Sequence, residues 1–145
     1  PASHELPLEA FLGRALVITI DPGTSIIEPA HLAALPSGAI ERLLLRSGRS
    51  IAGGTFPDAW PALSIASVRL LLDRGLRLLG VDSPSVDPRT STALDVHTAL
   101  FGAGAFNLEN LDLRAIDDGE YELIALPLKL QSADASPVRA ILREV

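Results

Sequence analysis

Three short, almost unbroken apolar runs constrain this chain most: Arg14 to Ile20 (RALVITI), Glu41 to Arg46 (ERLLLR) and Arg77 to Val81 (RLLGV). They are rich in aliphatic and β-branched residues. Turn formers bound them, with Gly13 and Asp21-Pro22-Gly23 around the first and Asp82 after the third, so each reads as a β-strand. A strand presents alternate residues to opposite faces. Near-continuous apolarity therefore means burial on both faces, as in a sheet covered on both sides. Tyr121 to Leu126 and Val138 to Leu142 complete the predicted strands.

Between these runs the period changes to that of a helix. Ser64 precedes Ile65, Val68, Leu71 and Leu72 at helical spacing, with Gly75 as the stop, which predicts a capped helix packing one face on the sheet. A second helix is expected to start near Thr92, with Asp95 as its capping-box partner, and to run through His97 and Phe101 to Gly102 and Gly104. A short helix is expected after Pro29. Strands mixed with helices along the whole length give an α/β fold class, while periodicity alone leaves strand order open. At 145 residues the chain is expected to form one domain, 1–145.

Composition narrows the function. Hydrophobic residues make up 48% of the chain and charged residues 21%, enough apolar surface to argue against intrinsic disorder. The net charge of -6, with twelve scattered basic residues, disfavours nucleic acid as a partner, because phosphate binding relies on clustered Lys and Arg. No apolar run approaches the roughly 18 residues of a membrane span, and the first twenty residues lack a signal-peptide pattern, so no membrane partner is expected and the cytoplasm is the default location. Cysteine is absent. A bound metal must then use His, Asp or Glu. Methionine is also absent and the chain opens Pro1-Ala2-Ser3-His4, so an upstream segment is expected to be missing.

His97 lies on the second predicted helix among Ala93, Leu94, Leu100 and Phe101, an apolar and buried setting in which an imidazole needs a partner. Two readings stay open. The commoner is a core histidine bonded to a backbone carbonyl; the other is a metal ligand. Glu109 follows the alternating run Ala105-Phe106-Asn107-Leu108, so a helix, a turn and a strand could return it beside His97. By itself it reads more simply as a solvated carboxylate. Two ligands are too few for a catalytic zinc, which normally has three from protein.

The loop Asp82-Ser83-Pro84-Ser85-Val86-Asp87-Pro88 leaves a strand directly, where α/β proteins often bind ligands, but its Ser and Asp residues suit turn hydrogen bonds equally well. No GxSxG elbow surrounds Ser83 or Ser85, which disfavours a serine nucleophile. His4 and His31 are expected at the surface. Trp60, in a Gly- and Pro-rich loop, is expected to plug the core rather than cover an aromatic substrate.

Several blocks in order, LPLEAFLGRALVI, RLLLRS, LLGVDSPSVDP, DVHTALFGAGAFNLENL, YELIALPLKL and DASPVRAIL, resemble bacterial kynurenine formamidases of the metal-dependent cyclase family. The resemblance covers nearly the whole chain. It implies a swivelling β/β/α domain of the cyclase type, in a homodimer or larger homo-oligomer. It also implies an amidohydrolase that converts the small molecule N-formyl-L-kynurenine to L-kynurenine and formate in tryptophan degradation, with two zinc ions per complete subunit. His97 and Glu109 are then metal ligands, Glu109 shared between the ions. The family's HxGTHxDxPxH motif, which carries the remaining ligands and the histidine acid or base, has no counterpart in these residues. The catalytic residue and the substrate-binding residues are thus unassigned. Two alternatives accompany this reading: a family hydrolase acting on another amide, and a non-catalytic truncated domain.

Overall fold

A computed structural model describes residues 2–145. Among the described residues eight strands form, β1 (Leu12–Thr19), β2 (Ile26–Ile27), β3 (Arg42–Arg46), β4 (Ala62–Leu63), β5 (Leu78–Val81), β6 (Phe106–Leu108), β7 (Gly119–Ile124) and β8 (Ile141–Glu144). Two α-helices accompany them, α1 (Ile65–Asp73) and α2 (Asp95–Gly102), with a short 3-10 turn at Pro29–Leu32. The chain is α/β, as expected. Six strands make one sheet in the order β6-β5-β3-β1-β7-β8, and β2 pairs with β4 in a small second sheet. The run β6-β5-β3-β1 is parallel, whereas β7 and β8 join antiparallel. All four parallel strands therefore end at one edge, where Thr19, Arg46, Asp82 and Glu109 leave the sheet.

Alternation along the strands divides the apolar runs between two cores. Leu43 and Leu45 of β3, with Leu79 and Val81 of β5, pack against Val68 and Leu71 of α1 and Val96 and Leu100 of α2. Leu44 and Leu78 point the other way, to Phe11, Val17, Leu108, Leu111 and Leu123. Both faces of the central strands are covered, which is the reason their sequences show no polar alternation. Gly80 sits on the second face at a close approach: a Cβ there would lie 2.3 Å from Leu44 Cδ2 and 2.8 Å from Leu111 Cδ1. At the start of β3, Arg42 is buried, its Nε donating to Ala10 O at 2.9 Å and Nη1 to Glu41 Oε2 at 3.0 Å. No local sequence pattern announces this clamp.

Helix α1 forms as its spacing predicts. Ser64 Oγ accepts from Ser67 N at 3.2 Å, and Gly75 takes φ +84° past the last turn, the left-handed conformation that glycine adopts without a Cβ penalty. Two expectations need correction. The last strand begins at Ile141, not Val138, because its partner β7 ends at Ile124, which Ile141 already matches; Val138 packs against the second core instead. Helix α2 begins at Asp95 and is not capped by Thr92. Leu94, in the left-handed region at φ 51°, precedes it with no side-chain cap of its own, and the free N–H groups of its first turn find their acceptor elsewhere.

Candidate functional site

That acceptor is Asp87. Its Oδ1 takes Val96 N at 2.9 Å and its Oδ2 takes His97 N at 3.1 Å, so a carboxylate from the preceding loop caps α2 and complements its dipole. The same Oδ2 lies 2.6 Å from His97 Nδ1. Asp87 is 1% exposed. A buried carboxylate at that distance accepts a hydrogen bond from Nδ1–H, leaving the lone pair of the neutral ring on Nε2.

Nε2 faces Glu109. Glu109 Oε1 stands 3.1 Å from it, and Asn107 Nδ2 stands 3.3 Å away. Glu109 reaches this place at the end of β6 because Asn110, at φ 61°, turns the chain immediately after it, with Asn110 N donating to Ser83 O. Val86 N donates to Glu109 Oε1 at 3.1 Å and steadies the carboxylate. His97 is thus bonded to carboxylates, not to the backbone carbonyl that a core histidine would use. It is half-buried, because Leu94 and Phe101 on its side of the helix are exposed.

An imidazole lone pair and a carboxylate oxygen at 3.1 Å repel unless a cation or a proton lies between them. With a proton, the imidazolium is favoured: the hydrogen bond to Glu109, then that to Asp87 and the charge of both, raise the His97 pKa above 6.5 against the opposing effect of burial. With a metal, the separation also fits. Zinc takes histidine nitrogen at about 2.0–2.1 Å and carboxylate oxygen at about 2.0–2.2 Å, which sets two ligands of one ion roughly 2.9–3.4 Å apart. Among the described residues, no group of three or more His, Cys, Asp or Glu is placed to hold a metal ion. His97 and Glu109 supply two donors.

The remaining polar residues of the loop satisfy one another. Buried Asp82 accepts from Ser47 Oγ at 2.6 Å and Gly48 N at 2.8 Å, tying the ends of β3 and β5 together. Ser83 Oγ donates to Ser85 O, and Ser85 Oγ accepts from Asp87 N. His4 and His31 are exposed, as expected. Trp60 does not plug the core: it is half-buried, with Nε1 donating to Asp87 O at 2.8 Å and its ring edge-on to Phe56. A loop held by Gly and Pro leaves it at the surface, where it lines an open cleft of about 210 Å³ with Arg49. A second cleft, of about 260 Å³, is lined by Arg46, Ser47, Asp82 and Arg114 at the same sheet edge. Among the described residues no helix is long and apolar enough to cross a membrane.

A family model described as a putative cyclase matches residues 2–88. The chain belongs to the cyclase family. The likeness of this cyclase-family chain to full-length relatives extends over nearly all of its residues. It is 40% identical to a kynurenine formamidase of Salinibacter ruber over 99% of its own length and 68% of that protein. It is 45% identical to a kynurenine formamidase of Bordetella avium, over 97% of its length and 67% of that protein. Among solved structures, a potential metal-dependent hydrolase with cyclase activity superposes with a TM-score of 0.85 at 26% identity, over 97% of this chain and 70% of that one. The chain therefore spans about two thirds of the length of these relatives.

Proposed function

We propose that this cyclase-family chain serves a metal-dependent amidohydrolase that cleaves N-formyl-L-kynurenine to L-kynurenine and formate. The observation that carries the reading is the His97–Glu109 pair, 3.1 Å apart at the carboxyl edge of the sheet, in a chain 40% and 45% identical to two kynurenine formamidases over nearly its whole length. In this reading His97, through Nε2, and Glu109, through Oε1, hold a divalent ion. When bound, such an ion supplies Lewis acidity toward a formamide carbonyl and a water acidified to near neutral pH.

The chain's own residues align these two donors. Asp87 keeps the proton on Nδ1 of His97, and Val86 N holds the Glu109 carboxylate toward the ring. The hydroxyls of Ser83 and Ser85 are engaged in the loop, consistent with direct hydrolysis by water. Zinc as the ion, two ions per complete subunit and a homodimer or larger homo-oligomer belong to the same reading and rest on the resemblance to bacterial kynurenine formamidases; a cytoplasmic location is proposed with them as the default for such a sequence. A single domain over residues 1–145 is proposed from chain length.

The test is release of kynurenine and formate from N-formyl-L-kynurenine by the full protein, alongside cyclic amides and simple formamides, before and after chelation. Preference for formylkynurenine, lost on chelation and restored by zinc, supports the assignment. Turnover of another amide with none of formylkynurenine would refute the substrate, and activity indifferent to chelation would refute the metal.

A further inference from the structure

We propose that Asp87 is the positioning residue of the metal pair, one carboxylate that both caps α2 and fixes the tautomer of His97, so that helix formation and ligand alignment are a single event. The proposal rests on the reading of His97 and Glu109 as ligands. Its geometry stands independently of the substrate.

Asp87 is held through both its side chain and its backbone. Its side chain makes three bonds to two consecutive residues: Val96 N at 2.9 Å, His97 N at 3.1 Å and His97 Nδ1 at 2.6 Å. The first two fix where the helix starts, and hence where the Cα of His97 lies. The third fixes which way the ring faces and which nitrogen carries hydrogen. The backbone of Asp87 is held too. Asp87 N donates to Ser85 Oγ at 3.1 Å, Trp60 Nε1 donates to Asp87 O at 2.8 Å, and Pro88 follows directly. The residue is 1% exposed, so water does not compete for its oxygens.

No nearer residue does the capping. Leu94, at the cap position, has no suitable side chain, and Ser91 Oγ accepts from Leu94 N at 3.1 Å, outside the helix. A carboxylate drawn from the loop is an expensive cap to bury for helix stability alone, since a local Ser or Thr supplies about 1 kcal/mol without burying charge. Its second task, on Nδ1, accounts for the choice. A carboxylate is acceptor-only and can receive all three hydrogens at once, whereas an asparagine in its place presents an N–H₂ to at least one of them.

The experiment uses the full protein. In the metal-free wild type, nitrogen-15 NMR above the His97 titration is expected to show hydrogen on Nδ1 and none on Nε2. Zinc affinity, read by competition with a chelating dye, is expected to fall about 10–100-fold in Asp87→Ala, as for other partners of metal-bound histidines, and by less in Asp87→Asn. Ser91→Ala serves as the control: it loosens the approach to α2 without touching His97, and should keep wild-type zinc affinity and tautomer. Hydrogen on Nε2 in the wild type would overturn the role, whether or not the protein hydrolyses formylkynurenine. So would zinc affinity unchanged in Asp87→Ala, or reduced equally in Ser91→Ala.

Discussion

Glu109 Oε1 and His97 Nε2 face each other at 3.1 Å, though one residue directly follows a β-strand and the other lies in the first turn of a helix. Two acceptor groups are stable in this arrangement only around a proton or a metal ion. Replacing Glu109 by Gln removes the negative charge and nearly preserves shape. We expect Glu109→Gln to bind zinc at least about 100-fold more weakly, a larger effect than loss of an outer partner, with far-UV circular dichroism unchanged and formylkynurenine hydrolysis falling in parallel.

Protonation competes with metal at the same nitrogen. The hydrogen bond to Glu109 leads the effects that raise the His97 pKa above 6.5. A raised folded-state value means that the imidazolium's contribution to stability is fully present below about 6.5 and lost as pH rises through the folded value. Urea denaturation of the chelated protein should therefore show stability falling across that window, with a flatter profile in Glu109→Gln. Zinc affinity should rise with pH over the same range, because binding releases the Nε2 proton.

Trp60 holds the carbonyl of Asp87 through its indole N–H. Phenylalanine at this position keeps most of the apolar contact and loses that bond. Trp60→Phe should lower zinc affinity in the direction of Asp87→Ala but by only a few-fold, measured with the same dye.

Gly80 has no room for a side chain between Leu44 and Leu111. Both neighbours are core leucines in a close-packed layer, so Gly80→Ala must displace them. A loss of about 1–3 kcal/mol is expected, the usual cost of overpacking, read from the urea midpoint at unchanged slope.

The sequence carried the central sheet well because its signals there are local and mutually consistent. Aliphatic runs such as RLLLR and LLGV have few alternatives to a strand buried on both faces. Helix α1 was legible for the same reason, with Ser64 and Gly75 marking both ends. The start of α2 was not. Its cap comes from Asp87, eight residues before the helix begins, and no local pattern announces a cap from outside. The sequence could place Glu109 near His97 only as a possibility, since the return depends on the left-handed turn at Asn110. Asp87 itself stood in a loop whose polar residues suited turn bonds and ligand binding equally. Ser83 and Ser85 follow the first pattern, and Asp87 serves the helix and the histidine. Trp60 misled because an isolated tryptophan suggests a core, whereas its loop keeps it at the surface and uses its N–H.

The most direct measurement is a zinc-edge anomalous difference map from crystals of the zinc-loaded full protein. A peak is expected about 2.0–2.2 Å from both His97 Nε2 and Glu109 Oε1, with the Asp87 bond to Nδ1 intact. Zinc bound elsewhere, or a loaded protein in which His97 and Glu109 still contact each other directly with no ion between them, would refute the assignment of this pair as ligands.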